Sequence, residues 1–146
     1  MCLGNSRDVV SFRIHGMVHG DKATCGGALL MKNGVIRAIF SAPVQLGKDY
    51  FPGLVATKIA LEVFRLVGWD SKSILQVNLD CKVQLNWVKN SLQRPWSVLR
   101  ILTDIDSLIS QYPRVFFGYI PCDENKLVVC LAREGLSRFI CFKAWW

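Results

Sequence analysis

The stretch Ser73-Ile74-Leu75-Gln76-Val77-Asn78-Leu79-Asp80-Cys81-Lys82-Val83-Gln84-Leu85-Asn86-Trp87-Val88-Lys89-Asn90 changes its hydrophobic period halfway along. Leu75, Val77 and Leu79 alternate with polar residues, the two-residue repeat of a half-buried strand. Val83 and Trp87 then fall four apart, the spacing of one helix face. Asp80 sits at the junction. In an open α/β sheet the carboxyl ends of the strands are where ligands and metals are held, so a carboxylate there marks the place to look for chemistry.

Upstream, residues 10–15 read as a first strand, with Phe12 and Ile14 on one side, Arg13 and His15 on the other, and Gly16 ending it. A linker over 20–23 leads to a second strand over 24–31, whose Gly26 and Gly27 allow a close backbone approach or a bulge. Asn33-Gly34 is a strong hairpin signal, and 35–40 returns as the third strand. A loop with Pro43 and Pro52 precedes a helix over 54–67 with Val55, Ile59, Val63 and Val67 in one stripe. Gly68 caps that helix, and Trp69-Asp70 turns the chain. A helix between strand runs implies a crossover, so the strand over 74–79 should lie parallel to a neighbour, most simply the first. Downstream, Pro95 starts a helix over 96–111 with Val98, Leu102, Ile105, Ile109 and Tyr112 inward and Asp104, Ser107 and Gln111 outward. Pro113 stops it, residues 114–120 form a fifth strand, and Asn125 is placed to cap a last helix over 126–134.

The 146 residues are enough for one domain, divided as a leader over 1–9, the domain over 10–142 and a tail over 143–146 that holds the unexplained Trp145-Trp146. With 51% hydrophobic and 20% charged residues the composition is that of a globular chain, and no window approaches the roughly 18 apolar residues of a membrane span. The start has no apolar signal region, and Cys2 stands where myristoylation requires glycine, so the expectation is an intracellular protein, nuclear or cytoplasmic, with no membrane partner. Six cysteines, never as C-x-x-C, argue against a zinc knuckle or a disulfide framework and read as small buried hydrophobes. The formal charge of +7, from 18 basic and 11 acidic residues, suits a polyanionic partner. His15 and His19 read as surface or hydrogen-bonded histidines, and Trp69, Trp87 and Trp96 as packing residues.

The order of elements and the local strings resemble the ribonuclease H superfamily, in particular the RNase H-like domains of plant non-LTR retroelements and their domesticated relatives. Ile14-His15-Gly16 falls where that family has V-D-G, and Gly26-Gly27-Ala28-Leu29 is similar to its G-G-V-L. Asn33-Gly34 matches its N-G hairpin, Phe40-Ser41 its F-S, and Glu62 with Arg65-Leu66 its E-A-L-R-L. Asp80 with Trp87-Val88 fits its E-S-D-S and W-V segment, Pro95-Trp96 its P-W, and Asp104-Ile105 its D-I. Ile120-Pro121, Asn125 and Leu131-Ala132 fit V-P-R-E-A-N-x-V-A-D-x-L-A. The match runs from about Ser11 to Gly135. It implies an α/β RNase H-like fold: a five-stranded mixed sheet, three antiparallel strands and then two parallel to the first, flanked by helices.

The activity that this resemblance implies is cleavage of the RNA strand of an RNA/DNA hybrid by two Mg²⁺ ions roughly 3.5–4 Å apart, held by acidic residues. The first acid falls at His15, the second at Ala56 (or Thr57 with the helix slid by one), the third at Asp80 and the fourth at Val129. One position of four carries a carboxylate. Glu62 is more than a helical turn from the second position, and Asp123 and Glu124 precede the last helix by too much to replace the fourth. Asp80 has two readings, a residual weak cation site or a cap on the following helix. The expectation is a catalytically disabled domain, with no cofactor unless residual Mg²⁺-dependent hybrid cleavage survives. Binding to RNA/DNA hybrid or duplex can outlive the metals, since it rests on phosphate contacts and shape, and its candidates are Arg13, Lys22, Lys82, Lys89, Arg94 and Lys126. The alternative is a protein-interaction module on the same scaffold.

Overall fold

The computed structural model describes residues 8–45, 51–68, 73–112 and 114–146. The expected turn at Trp69-Asp70 and the stop at Pro113 lie outside them, as does most of the leader. The order is β1 (Asp8–His19), β2 (Lys22–Leu30), β3 (Ile36–Val44), α1 (Pro52–Val67), β4 (Ser73–Leu79), α2 (Lys82–Lys89), α3 (Leu99–Ile109), β5 (Val115–Tyr119), α4 (Lys126–Glu134) and β6 (Phe142–Trp145). They build one mixed α/β sheet in the order β5-β4-β1-β2-β3-β6, with β1 to β3 antiparallel and β4 and β5 parallel to β1. The expected sheet has five strands; the sixth arises because Phe142–Trp145, read from sequence mostly as a tail, pairs antiparallel with the edge of β3.

Helices cover both faces. On one face the even-numbered residues of β1, Val10, Phe12 and Ile14, pack with Leu75, Val77 and Leu79 of β4 beneath α1, which is backed in turn by α3 through Leu102 and Ile105. All of these are essentially sealed from solvent. On the other face α4 lies over β1, β2 and β3 only. Among the described residues no helix is long and apolar enough to cross a membrane.

Glycines set how closely these layers approach. Gly16 does not end β1. The strand continues to His19, and a Cβ at Gly16 would overlap the backbone of Pro52 and Gly53 where α1 begins, so glycine is a packing requirement there. On the opposite face a Cβ at Gly26 would lie 2.5 Å from the Ala132 amide nitrogen of α4, the close backbone approach expected of that glycine pair. The strand β1 turns instead through Gly20-Asp21, with Gly20 at φ 64° and its neighbour on the ordinary side, the pattern of a type II′ turn.

Helix α1 begins two residues before the expected start, with Pro52 in its first turn, and ends on Gly68 at φ 82°, whose N–H donates to the carbonyls of Phe64 and Arg65. Its deepest face is Leu54, Thr57, Leu61 and Phe64 with Ala56, Ala60 and Val63. Of the expected stripe, Val55, Ile59 and Val67 are only partly buried, because the helix is sandwiched between sheet and α3. Helix α2 places Val88 inward and leaves Val83 exposed, and Trp87 packs edge-on against Phe51 with ring centroids 5.0 Å apart. Trp96 is not a packing residue; it stands on a 3₁₀ turn, 89% exposed. Cys2 lies outside the described residues, and the expected burial fails for part of the rest: Cys25 is buried and Cys81 and Cys141 half-buried, but Cys122 and Cys130, on a surface turn and the outer side of α4, are exposed.

Candidate functional site

Parallel pairing of β1 with β4 decides what meets at the strand ends. Arg13 lies opposite Asn78, so two residues further on His15 and Asp80 come level on the same face. Their side chains touch, with His15 Nδ1 2.6 Å from Asp80 Oδ2, and are 15% and 10% exposed. The position opposite His15 on β2 is Gly26, whose bare backbone lets α4 settle against the sheet beside the pair.

A third side chain closes the group. Asn125, 1% exposed at the head of α4, donates from Nδ2 to the Ile14 carbonyl at 3.0 Å and to Asp80 Oδ2 at 3.1 Å. It therefore bolts the last helix to the first strand instead of capping its own helix, where it makes no side-chain hydrogen bond. Its Oδ1 is buried with no hydrogen-bond partner among the described residues. Asp80 likewise does not cap α2, which starts from Cys81 without a side-chain cap bond. The carboxylate is engaged instead with His15 and Asn125.

Cys122, on a 3₁₀ turn before α4, completes the cluster: one donor atom each from His15, Asp80 and Cys122 lie within 4.8 Å of one another. Partial desolvation of the sulfur, and then the charge of Asp80 and a hydrogen bond with it, push this thiol above its ordinary value, so at neutral pH it is a protonated thiol and not a thiolate nucleophile. The half-open space between His15, Asp80, Gly53 and Gln84 is only about 10 Å³, roughly the room for one water centre.

The other expected acid positions supply no charge. Ala56 and Thr57 are both fully buried, and Thr57 Oγ1 donates to the Gly53 carbonyl one turn back. Val129 is half-buried one turn into α4. Among the described residues His15, Asp80 and Cys122 are the one group of three metal-ligating side chains, so Glu62, Asp123 and Glu124 do not join it.

The basic candidates separate. Lys82 opens α2 two residues after Asp80, exposed, with its ammonium 5.0 Å from the Tyr119 ring centre; Lys126 opens α4 next to Asn125, also exposed. These two flank the cleft. Lys89 ends α2, roughly 10 Å from Lys82 along its axis. Lys22 is at the far turn of the β1–β2 hairpin. Arg13 is half-buried on β1, and its Nε has no partner among the described residues. Arg94 is committed internally: its side chain is 7% exposed, it donates to the carbonyls of Trp87 and Val88 at the end of α2, and it clasps Asp106 through both terminal nitrogens at 2.5 and 2.9 Å.

No protein-family model and no curated protein matches this sequence. Solved structures do. The RNase H1 of the halophilic archaeon Halobacterium salinarum superposes with a TM-score of 0.76 at 18% identity, over 88% of this chain and 97% of that one. LC11-RNase H1 in complex with an RNA/DNA hybrid gives 0.75 at 16%, over 86% and 94%. The foamy viral protease-reverse transcriptase, also solved with an RNA/DNA hybrid, gives 0.69 at 12%, over 90% of this chain and 20% of that one.

Proposed function

Taking the RNase H-like fold of this chain as the premise, we propose that it is a catalytically disabled member of that architecture, of the plant non-LTR retroelement type, which binds nucleic acid weakly and without sequence preference. The observation that carries the first half is the state of Asp80. Two hydrated Mg²⁺ ions bring four positive charges and take hard oxygen ligands, whereas this cleft offers one carboxylate, an imidazole nitrogen and a thiol. The residues present do not fit that pair, and the lone carboxylate is already held by His15 and Asn125.

Binding is supported by what the cleft keeps around it. Lys82 and Lys126 stand exposed at its rim, and two of the structural neighbours were solved holding RNA/DNA hybrids. Phosphate contacts need cations and shape, not a metal pair. Gel shifts with hybrid, duplex DNA and duplex RNA at two salt concentrations, with and without Mg²⁺, test both halves. The expected result is binding that weakens with salt, a salt slope that falls by about 1 in each of Lys82→Ala and Lys126→Ala, and intact strands. Hybrid cleavage in Mg²⁺ that Asp80→Asn abolishes would overturn the disabled assignment; binding indifferent to salt would overturn the nucleic-acid role.

A protein-interaction role is the second reading, and one observation favours it. Phe139 and Ile140 are 97% and 79% exposed, and Phe142, Trp145 and Trp146, at and just after β6, are exposed as well. Salt-independent binding, or none, in the same gel shifts moves the weight to this surface.

A further inference from the structure

The donors that do not suit magnesium suit another class of ion. We propose that His15, Asp80 and Cys122 form a mononuclear site for a borderline transition-metal dication, with Zn²⁺ as its representative. An imidazole nitrogen, a carboxylate oxygen and a sulfur converge within 4.8 Å from three separate elements: β1, the end of β4, and the turn before α4. Nitrogen and sulfur donors of this kind select zinc and its neighbours over magnesium and calcium. The charges agree as well, since one carboxylate and one thiolate neutralise one dication.

The rearrangement required is small. With zinc–ligand bonds of about 2.0–2.3 Å, the ligand atoms of a tetrahedron sit roughly 3.3–3.8 Å apart. The sulfur moves in by on the order of 1 Å, and the His15 and Asp80 atoms, now 2.6 Å apart across a hydrogen bond, separate by somewhat less. Cys122 is exposed on a one-turn 3₁₀ segment, the most easily moved of the three. The ion takes the Nδ1 lone pair, the imidazole carries its hydrogen on Nε2, and the thiol proton leaves to solvent.

Asn125 puts a second buried polar group beside the three donors. Its amide nitrogen donates to the Asp80 carboxylate, while its Oδ1, in a residue 1% exposed, has no hydrogen-bond partner among the described residues. Buried polar atoms are rarely orphaned, and a water bound to a nearby cation would satisfy this one. Three protein ligands leave the fourth coordination position open to such a water.

The test uses the metal-free full chain without nucleic acid, so that its outcome is separate from that of the binding assays. Titration with Co²⁺, a spectroscopic substitute for zinc, is expected to give a thiolate-to-metal charge-transfer band at one ion per chain, displaced by Zn²⁺ and unaffected by equimolar Mg²⁺. Cys122→Ser, at an exposed position and checked for an unchanged circular dichroism spectrum, should lose the band and weaken Zn²⁺ binding at least tenfold. Cys130→Ser, at the other exposed thiol among the described residues, should keep both. No band with the native chain, or a band that survives Cys122→Ser, would overturn the proposal.

Discussion

Two regions built from alternate residues of the same strand are held together by different forces. Phe12 and Ile14 face α1 and lie in a continuous apolar layer, where each contributes by area removed from water and any neighbour of similar shape serves. Arg13 and His15, one step away along β1, face the side where α4 covers only part of the sheet. There His15, Asp80 and Asn125 depend on particular atoms meeting at 2.6 to 3.1 Å. Burial is tolerant and additive; the cleft is directional, and losing one member strands the others.

The sharpest way to test that contrast is to remove one member from each region. Phe12→Ala empties a fully buried ring position against Phe40 and is expected to cost about 3–5 kcal/mol in denaturant unfolding. Asn125→Ala removes fewer contacts but leaves the Ile14 carbonyl and the Asp80 carboxylate short of a donor, and about 1–3 kcal/mol is expected from the same measurement. A cost for Asn125→Ala below about 0.5 kcal/mol would break the claim that the cleft is held by directional bonds.

Basic residues extend the comparison. Arg94→Ala should destabilise by about 1.5–3 kcal/mol, since its guanidinium satisfies the terminal carbonyls of α2 and pairs with Asp106, yet leave hybrid binding unchanged. Lys89→Ala, at an exposed position on the same helix, should stay within about 0.5 kcal/mol. The smallest effect is kinetic. Because the Cys122 thiol titrates above its ordinary value, it holds less thiolate at any given pH, so alkylation at pH 8 should be slower than that of a free cysteine peptide. Asp80→Asn removes one cause of the shift and should speed the reaction; mass spectrometry of the labelled Cys122 peptide measures both.

The apolar face was legible in the sequence because its signal repeats. Phe12 and Ile14, Leu75 to Leu79, and Val98, Leu102, Ile105 and Tyr112 each recur at the period of their element, and the parallel pairing of β4 with β1 followed from the crossover. Where repeats are few the signal is weak: α2 has eight residues, too short for Val83 and Trp87 to fix its inward side, and β6 has four. Gly16 looked like a stop because a glycine needed for close packing and one needed for a turn are the same letter. The cleft was half visible. Motif position picks out His15 and Asp80, but the local signal at Asn125 is that of a helix cap, and at Asp80 that of a cap or a weak cation site. Their actual partners lie 45 to 111 residues away, and no local pattern encodes those distances.

The β1–β4 pairing also bears on the order in which the molecule assembles. The meander of β1, β2 and β3 closes through short turns, whereas bringing His15 beside Asp80 requires a loop of 65 residues to shut, an entropic toll that sequence-distant contacts meet only late. The cleft straddles that junction, so a refolding chain is expected to form its hairpins before its cleft, an order that pulsed hydrogen exchange of the β1–β3 and β4 amides would read.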